Sequence, residues 1–169
     1  MASTPKGGLI LHRYSGSKYI RDLNGEGARL NGGRWNQVNT AVVYTSIDEN
    51  VAFSEYARRF RPRTLLYSTM TGYVQFNVPE GISVEEITEA DLPANWRDRP
   101  APVVLQELGT AWAARGSSCL LKVPTALNAT ADNYLINPAH AEFDPAWATV
   151  TDPATVTKDL VDASLTIAP

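Results

Sequence analysis

The chain has few of the residues that build metal centres and disulfides. Its 169 residues include one cysteine and two histidines. A single cysteine excludes an internal disulfide and a cysteine-rich metal site, and Cys119 stands in an apolar run that is typical of a small core residue. His12 and His140 are far apart in sequence and no paired carboxylate motif accompanies them, so we expect no catalytic metal.

The sequence also lacks long apolar segments and the better-known catalytic signatures. No stretch is long and apolar enough to cross a membrane, and the polar segment 1–8 has no apolar core of a signal peptide. Neither the Gly-x-x-x-x-Gly-Lys-Ser/Thr motif of phosphate-binding loops nor the Gly-x-Ser-x-Gly motif of hydrolases is present. We therefore expect a cytoplasmic protein that does not engage membranes and that has no strong nucleophile.

The charge is low and unevenly spread. The net charge of -3 argues against direct nucleic-acid binding. Residues 1–63 hold ten Lys/Arg and five Asp/Glu, whereas residues 64–169 hold five and thirteen. The basic part suits a small anionic ligand, and the acidic part is either solvated surface or a docking face for a partner. The length and the 44% hydrophobic content predict one compact domain over residues 1–169.

The segment 25–36 concentrates four glycines and two arginines. This composition predicts an irregular loop, neither helix nor strand, whose N–H groups at residues such as Gly33 face one anion. Arg29 and Arg34 add forked donors that suit phosphate or carboxylate. Because Trp35 directly follows an arginine, we interpret the segment as an anion-gripping loop; the alternative is a surface turn with solvated arginines.

The rest of the chain predicts a mixture of strands and helices without regular βαβ spacing, which indicates the α+β class. The motif Ser46-Ile-Asp-Glu49 predicts a capping box with Ser46 as the N-cap. Helices are expected from there to about residue 59, over residues 102–115, and after the Asp152-Pro153 pair. Strands are expected over residues 9–14, 41–45, 64–70, 72–78, 82–88, 118–123, 133–136 and 147–150.

Glu55 is the notable residue of the first predicted helix. Projected at 100° per residue, it falls between Val51 and Ala52 on the inward-facing side. A buried carboxylate needs a partner or a function. The interpretations are a salt bridge to a neighbouring arginine and an acidic group at a binding site, and a nearby Arg34 would satisfy both.

Two blocks of residues in this order and spacing resemble the RES domain. The first block comprises residues 25–36, residues 43–46 and the Ala52-x-x-Glu55 pattern, and the second comprises residues 123–125 and 133–140. The resemblance covers roughly residues 9–145. It implies an ADP-ribosyltransferase-like mixed sheet with a few flanking helices. It also implies a toxin of a bacterial toxin–antitoxin pair that consumes NAD+ by phosphorolysis or hydrolysis, and some members of the family modify proteins.

The resemblance assigns three residues to the positions for which the family is named. Arg34 matches the arginine and Glu55 the glutamate. Thr125 stands where the family usually has serine; it keeps the hydroxyl and adds a methyl group. Asn39 replaces a usual glycine, but asparagine tolerates the left-handed conformation that glycine would supply. Ala141 replaces a usual proline, which we interpret as loop variation.

The implied mechanism divides these residues into catalytic and binding groups. Arg34, with Arg13 or Arg29, would hold the NAD+ pyrophosphate, and Tyr44 would stack on or border the nicotinamide ring. Glu55 would accept a hydrogen bond from a ribose hydroxyl and stabilise the cation that forms as nicotinamide leaves. The expected catalytic residues are Arg34, Tyr44, Glu55 and Thr125. The expected substrate-binding residues are Arg13, Tyr14, Arg29, Gly33, Asn133 and Asn137.

Two alternatives stay open beside NAD+ cleavage. A protein ADP-ribosyltransferase would use the same site with a macromolecular acceptor, and a nucleotide-binding module would bind without turnover, as the Thr125 substitution allows. In every case NAD+ is a substrate or ligand and no cofactor is expected; inorganic phosphate is a second substrate if cleavage is phosphorolytic. The family resemblance further implies an antitoxin protein as partner, and an oligomer is compatible with the sequence.

Overall fold

The computed structural model of the protein describes residues 1–127 and 130–167. This part of the chain folds into an eight-stranded mixed sheet with helices packed against it. The strands are β1 (Ala2–Ser3), β2 (Leu9–Gly16), β3 (Val43–Ser46), β4 (Thr71–Val78), β5 (Ser83–Glu86), β6 (Leu120–Pro124), β7 (Asp132–Ile136) and β8 (Ala148–Ala154). The α-helices are α1 (Glu26–Asn31), α2 (Glu49–Ala57), α3 (Val103–Arg115) and α4 (Lys158–Ile167). Short 3₁₀ helices span Arg63–Ser68, Glu89–Asp91 and Pro145–Trp147.

The sheet has one weak junction, between β2 and β3. The strand order is β1-β5-β6-β7-β3-β2-β4-β8. Strand β2 pairs with β4 along its whole length, and β3 pairs with β7 in the same way. In contrast, β2 and β3 share the single register pair His12–Ser46. Beyond that pair the two strands diverge, so the sheet contains a fork.

Alternating side chains of the strands fill a core on each face of the sheet. Leu120 and Ile136 pack with Leu11 and other side chains on one face. Their neighbours Leu121 and Leu135 pack on the other face, against α3. A third cluster, which includes Phe53 of α2, joins that helix to α4. Helix α2 contacts both β2 and β3, and so it lies across the fork.

The helix ends follow local chemistry. The side chain of Asp48, not the predicted Ser46, caps α2 by accepting a hydrogen bond from the Val51 N–H at 3.0 Å. Ser46 instead accepts from the backbone N–H of Asp48 at 3.2 Å. Helix α3 begins directly after Pro102 and ends at Gly116, which has φ 59°. These bounds confirm the prediction of a helix over residues 102–115.

The prediction that segment 25–36 contains no helix was wrong. Residues 26–31 form α1, with Gly25 and Gly32 at its two ends, each with φ 69°. The glycines therefore serve the turns that begin and end a short helix, a conformation that side chains with a Cβ rarely adopt. Asn39, at the position of the usual glycine, has φ 77°, as the family comparison predicted.

Two other secondary-structure predictions were wrong. The expected strand over residues 64–70 is the 3₁₀ helix Arg63–Ser68, because a short apolar run does not by itself distinguish strand from helix. Strand β8 continues through Asp152 and Pro153, so this pair does not cap α4. Proline is tolerated there because β8 is an edge strand of the sheet.

The α+β class and the mixed sheet are confirmed. Within residues 1–127 and 130–167, none of the helices combines the length and apolar character that a bilayer crossing requires.

Candidate active site

A cavity of about 870 Å³ opens at the fork between β2 and β3. Its volume lies in the upper part of the range of roughly 300–1,000 Å³ that small-molecule sites occupy. The walls come from the far half of β2, the segment around α1 and Trp35, strand β3, helix α2 and residues 99–101. Asn133 of β7 lies at its wall as well. Polar side chains from six separate stretches of sequence thus face one space.

Glu55 projects from α2 into this cavity with both carboxylate oxygens held. Thr125 Oγ1 donates to Glu55 Oε1 at 2.9 Å, and Asn133 Nδ2 donates to the same oxygen at 3.3 Å. Arg58 Nη1 donates to Oε2 at 3.0 Å. The Arg58 side chain is 8% exposed, whereas that of Glu55 is 32% exposed. The carboxylate is therefore fixed in orientation and still accessible from the cavity.

The Thr125 hydroxyl acts on Glu55 rather than on the cavity itself. Thr125 is 2% exposed, lies just after β6, and is not among the residues that line the cavity. Its Oγ1 accepts from the Leu127 N–H at 3.2 Å while it donates to Glu55. The hydroxyl, common to threonine and serine, makes both bonds, so the additional methyl group does not interrupt the link.

Asn133 has a buried oxygen without a partner. While its Nδ2 donates to Glu55, its Oδ1 is buried and accepts no hydrogen bond from any described residue. Unsatisfied buried polar atoms are uncommon in folded proteins. The site thus offers an unmet acceptor directly beside the carboxylate.

Tyr44 connects β3 to the segment that follows α1. Its hydroxyl donates to Asn36 Oδ1 at 2.6 Å and accepts from the Trp35 N–H at 3.0 Å. Burial raises the pKa of Tyr44 above its usual value, so the phenol stays protonated. The tyrosine lines the cavity. Its contact with a nicotinamide ring stays a prediction.

Asn36 organises the same segment and was not identified as a functional residue from the sequence. Its side chain is fully buried. Nδ2 donates to the carbonyls of Ala28, Gln37 and Thr40 at 2.8, 3.1 and 3.0 Å. Together with the bond from Tyr44, these contacts satisfy the whole amide and fix the shape of one cavity wall.

Arg34 lines the cavity but is not the ion-pair partner of Glu55; that partner is Arg58. Arg34 donates from Nη1 to the Trp96 carbonyl at 2.7 Å and from Nη2 to the Asp98 carbonyl at 3.2 Å. Burial lowers the pKa of the Arg34 guanidinium, and a neighbouring Arg99 lowers it further. The guanidinium therefore connects two loops of the protein at the edge of the site.

Arg13 and Tyr14 both reach the cavity, as predicted from their place at the end of β2. Arg13 donates to the carbonyls of Asp22 and Tyr19 at 2.9 and 3.2 Å. The Tyr14 hydroxyl donates to Glu49 Oε1 at 2.6 Å. Burial, followed by this hydrogen bond, raises the pKa of Tyr14. Their expected contacts with NAD+ stay predictions.

The structure places two of the predicted binding residues away from the cavity. Arg29 lies on the exposed side of α1 and pairs with Glu26 at 2.6 Å. Asn137 follows the other end of β7, where it donates to the Ala113 carbonyl at 3.1 Å and accepts from the Ala139 N–H at 3.1 Å. The side-chain amide of Asn137 therefore stabilises the turn that follows β7.

The glycine segment does not offer its N–H groups in the way that the sequence suggested. Gly33 lines the cavity, but its N–H donates to the Asn36 carbonyl at 3.0 Å. The N–H of Gly32 donates to Ala28, and that of Gly27 to Asp22. A Cβ atom on Gly33 would lie 2.6 Å from the Tyr44 hydroxyl oxygen. Glycine is thus required at position 33 for close packing.

Three cavity arginines were missed by sequence reasoning: Arg58, Arg59 and Arg99. Arg58 follows Glu55 by three residues, a spacing that brings side chains together on a helix and that could have indicated the pair. Arg99 lies in a proline-rich loop, and no local pattern connects it to the site. The five lining arginines make the cavity strongly basic.

A separate polar cluster is formed by Cys119, His140 and Glu142, whose ligand-type atoms lie within 4.8 Å of one another. None of the three lines the cavity. Ser83 donates to the Glu142 carboxylate, and the Glu142 N–H donates to His140 Nδ1 at 3.2 Å. Burial, and next the Glu142 charge, raise the pKa of the Cys119 thiol to about 12. We interpret this cluster as a hydrogen-bonded part of the core.

Comparison with known proteins agrees with the sequence motifs. A sequence model of the RES domain matches residues 10–157. A protein named Toxin Res from Yersinia enterocolitica is 31% identical over 143 residues, which cover 84% of this chain and 89% of that protein. A protein from a Sphingobium species, named Prs ADP-ribosylating toxin, is 35% identical over 123 residues, which cover 72% of this chain and 75% of that protein.

A solved structure has a similar fold. A chain of the M. tuberculosis MbcT–MbcA toxin–antitoxin complex superimposes with a TM-score of 0.71 at 18% identity. The match covers 95% of this chain and 90% of the other chain. The resemblance inferred from the two motif blocks is confirmed by these matches, and the chain belongs to the RES domain family.

Proposed function

We propose that this protein is a toxin that acts on NAD+ and cleaves the bond between nicotinamide and ribose in the cavity at the fork. The observation that carries the proposal is Glu55, a partly exposed carboxylate with both oxygens held, at the wall of a cavity lined by five arginines. Such a cavity suits a ligand that combines an anionic diphosphate with a group that becomes cationic. The names of the relatives support the assignment as a toxin.

The residues around Glu55 suit the reacting ribose. A preorganised carboxylate stabilises the oxocarbenium-like cation that forms as nicotinamide leaves, and one well-placed group of this kind is worth roughly 3–4 kcal/mol. The unmet Oδ1 acceptor of Asn133 lies beside it and would be satisfied by a ribose hydroxyl. Thr125 and Arg58 hold the carboxylate in place for both interactions.

The acceptor of the ADP-ribosyl group distinguishes three outcomes of the same first step. Water would give hydrolysis, inorganic phosphate would give phosphorolysis, and a protein side chain would give ADP-ribosylation. The name of the Sphingobium relative, Prs ADP-ribosylating toxin, favours the third outcome as the second candidate function. We place NAD+ cleavage first because the cavity geometry supports it without a macromolecule.

The experiment that tests this proposal follows the fate of NAD+. Purified protein is incubated with NAD+, with and without phosphate and with and without bacterial lysate, and the products are identified by mass spectrometry. We expect release of nicotinamide with ADP-ribose, its 1-phosphate or a labelled lysate protein as co-product. The matched control is Glu55→Gln, which keeps the size of the side chain and removes its charge. Intact NAD+ under every condition would refute catalysis and favour a binding module.

We also propose a cognate antitoxin protein as partner. The similar fold occurs in a toxin–antitoxin complex, and the excess of acidic residues after position 63 supplies a charged surface. Bacteria stop growing when NAD+ is depleted or when an essential protein is ADP-ribosylated. Induced expression of the parent protein should therefore arrest growth, whereas expression of Glu55→Gln should not. Co-expression of the protein encoded next to this one should restore growth. Normal growth with abundant soluble parent protein would contradict the proposal.

A further inference from the structure

The five arginines of the cavity divide into two groups by what their guanidinium groups bind. Arg13 and Arg34 each donate to two backbone carbonyls, and Arg58 donates to Glu55. We call these three the committed arginines. Arg59 and Arg99, the open arginines, line the cavity as well. Within residues 1–127 and 130–167, neither open guanidinium has a hydrogen bond or ion pair to the protein.

Each open arginine lies within electrostatic reach of a committed one. Burial lowers the pKa of Arg13, the charge of Asp22 opposes that shift, and the charge of Arg59 adds to it. Burial and then Arg99 lower the pKa of Arg34 in the same way. Arg59 is therefore near Arg13 and Tyr44, and Arg99 is near Arg34. Both open arginines are exposed, so water solvates them when the cavity is empty, and an anion that enters the cavity can reach their donors.

The carboxylates on the cavity wall are engaged by other groups and form no ion pair with an open arginine. Of the lining carboxylates Asp22 and Glu55, Glu55 is already held by Thr125, Asn133 and Arg58. Asp22 accepts backbone N–H groups of Asn24 and Gly27 at 3.0 Å each. The positive charge of the open arginines is thus left for a ligand.

We propose that Arg59 and Arg99 are the residues that hold the diphosphate of the substrate, while the committed arginines shape the cavity. This inference rests on the proposed function and changes the assignment suggested by the motif, in which Arg34 with Arg13 or Arg29 had that part. A guanidinium fork with free donors binds phosphate oxygens bidentately. Arg59 lies just beyond the end of α2 and lines the same cavity as Glu55, so one ligand can place its diphosphate at Arg59 and its ribose at Glu55.

Substitution of the open arginines should act on ligands that carry phosphate and on no others. The measurement is calorimetric affinity for NAD+ and for nicotinamide riboside, which has the same reacting ribose and no diphosphate. All proteins carry Glu55→Gln so that turnover does not consume the ligand. Arg59→Gln and Arg99→Gln should each weaken NAD+ binding by roughly 10- to 100-fold, since a hydrogen bond to a charged group is lost. Affinity for nicotinamide riboside should not change.

Arg97→Gln is the matched control. Arg97 lies two residues from Arg99, pairs with Glu89 at 2.8 Å, and is not among the residues that line the cavity. Its substitution removes one positive charge from the same loop and should leave both affinities unchanged. A loss of NAD+ affinity equal to that of Arg99→Gln would mean that general charge, not a specific contact, is responsible, and would overturn the inference.

The melting temperature without ligand distinguishes a ligand-binding role of the open arginines from a structural role. Because the open arginines are exposed and have no side-chain partner among the described residues, Arg59→Gln and Arg99→Gln should melt at the same temperature as the parent. Equal losses for both ligands together with a lower melting temperature would assign these arginines to the structure and refute the inference. A parent protein that does not bind NAD+ would refute the proposed function instead.

Discussion

Helix α2 and the segment 25–36 face the same cavity, but they use their polar groups in opposite ways. On α2, other side chains hold Glu55 and leave it partly exposed. In the segment, Asn36 and Arg34 direct their donors to backbone carbonyls, and Gly33 gives its N–H to Asn36. One wall is therefore built to present a charge and the other to keep a shape. Arg34 also lines the cavity, and contact of its remaining donors with a ligand stays a prediction.

The largest expected effect tests the α2 wall. Glu55→Gln should lower kcat for NAD+ loss by roughly 10²–10³-fold, because an amide cannot stabilise the developing cation. The fold should remain, since glutamine keeps an oxygen for Thr125, but some stability is lost because the Arg58 guanidinium loses its ion-pair partner. The measurement is nicotinamide release together with thermal unfolding. Glu26→Gln, an acid on α1 that pairs with Arg29, is the control and should retain full activity. Parent-like turnover in Glu55→Gln would contradict the proposed mechanism.

The second prediction tests the segment. Asn36→Ala should destabilise the protein by about 1–3 kcal/mol for each buried group that loses its partner. The measurement is urea unfolding with kinetics at a temperature where the variant stays folded. KM and kcat should worsen together, because the wall itself shifts. Asn31→Ala is the control: Asn31 is exposed and makes one bond, to the Gly27 carbonyl at 2.9 Å. Unchanged stability in Asn36→Ala would show that the segment holds its shape without the amide.

The third prediction concerns the link behind Glu55. Thr125→Val keeps the shape of the side chain and removes the hydroxyl, which leaves Glu55 Oε1 and the Leu127 N–H without this partner. The expected loss is about 1–3 kcal/mol in transition-state stabilisation, seen in kcat. Thr125→Ser should keep activity because the hydroxyl remains. If the valine variant turned over NAD+ like the parent, Thr125 would only fill space.

The smallest expected effect is that of chelation. We expect EDTA to leave turnover unchanged, because the proposed chemistry uses a carboxylate and guanidinium groups. Activity is measured after dialysis against EDTA and again after each divalent ion is restored. Loss of activity that one ion reverses would show that turnover needs a metal. The Cys119, His140 and Glu142 cluster, which lies outside the cavity lining, would then be examined with His140→Gln.

Periodicity and turn chemistry predicted much of the fold. The apolar runs of β2, β3 and β6 were found because buried strands are rich in valine, leucine and isoleucine. Helix α3 was found from its proline and glycine at the two ends. The strand wrongly expected over residues 64–70 and the helix missed at residues 26–31 are short elements, where tertiary contacts outweigh local propensity.

The site was predictable where a motif or a helix face marked a residue. Glu55 was identified by its inward position on α2, and Thr125 by its place in the second motif block. Arg99 could not be found in this way, because only the folded chain brings its loop to Arg34. The hydrogen bonds that the Arg34 guanidinium donates to the Trp96 and Asp98 carbonyls could not be predicted either, because they too depend on the tertiary structure.

Because β2 and β3 share a single register pair, the sheet consists of two parts that are joined only weakly at the fork. The larger part contains strands β1, β5, β6, β7 and β3, and the smaller part contains β2, β4 and β8. Arg13 lies on the smaller part and Tyr44 on the larger part, and both residues line the cavity. A molecule that fills the cavity therefore contacts both parts of the sheet. The free energy of ligand binding then adds to the stabilisation that the few contacts between β2 and β3 provide. We therefore expect a ligand in this cavity to hold the two parts of the sheet together and to make the occupied protein stiffer at the fork than the empty one.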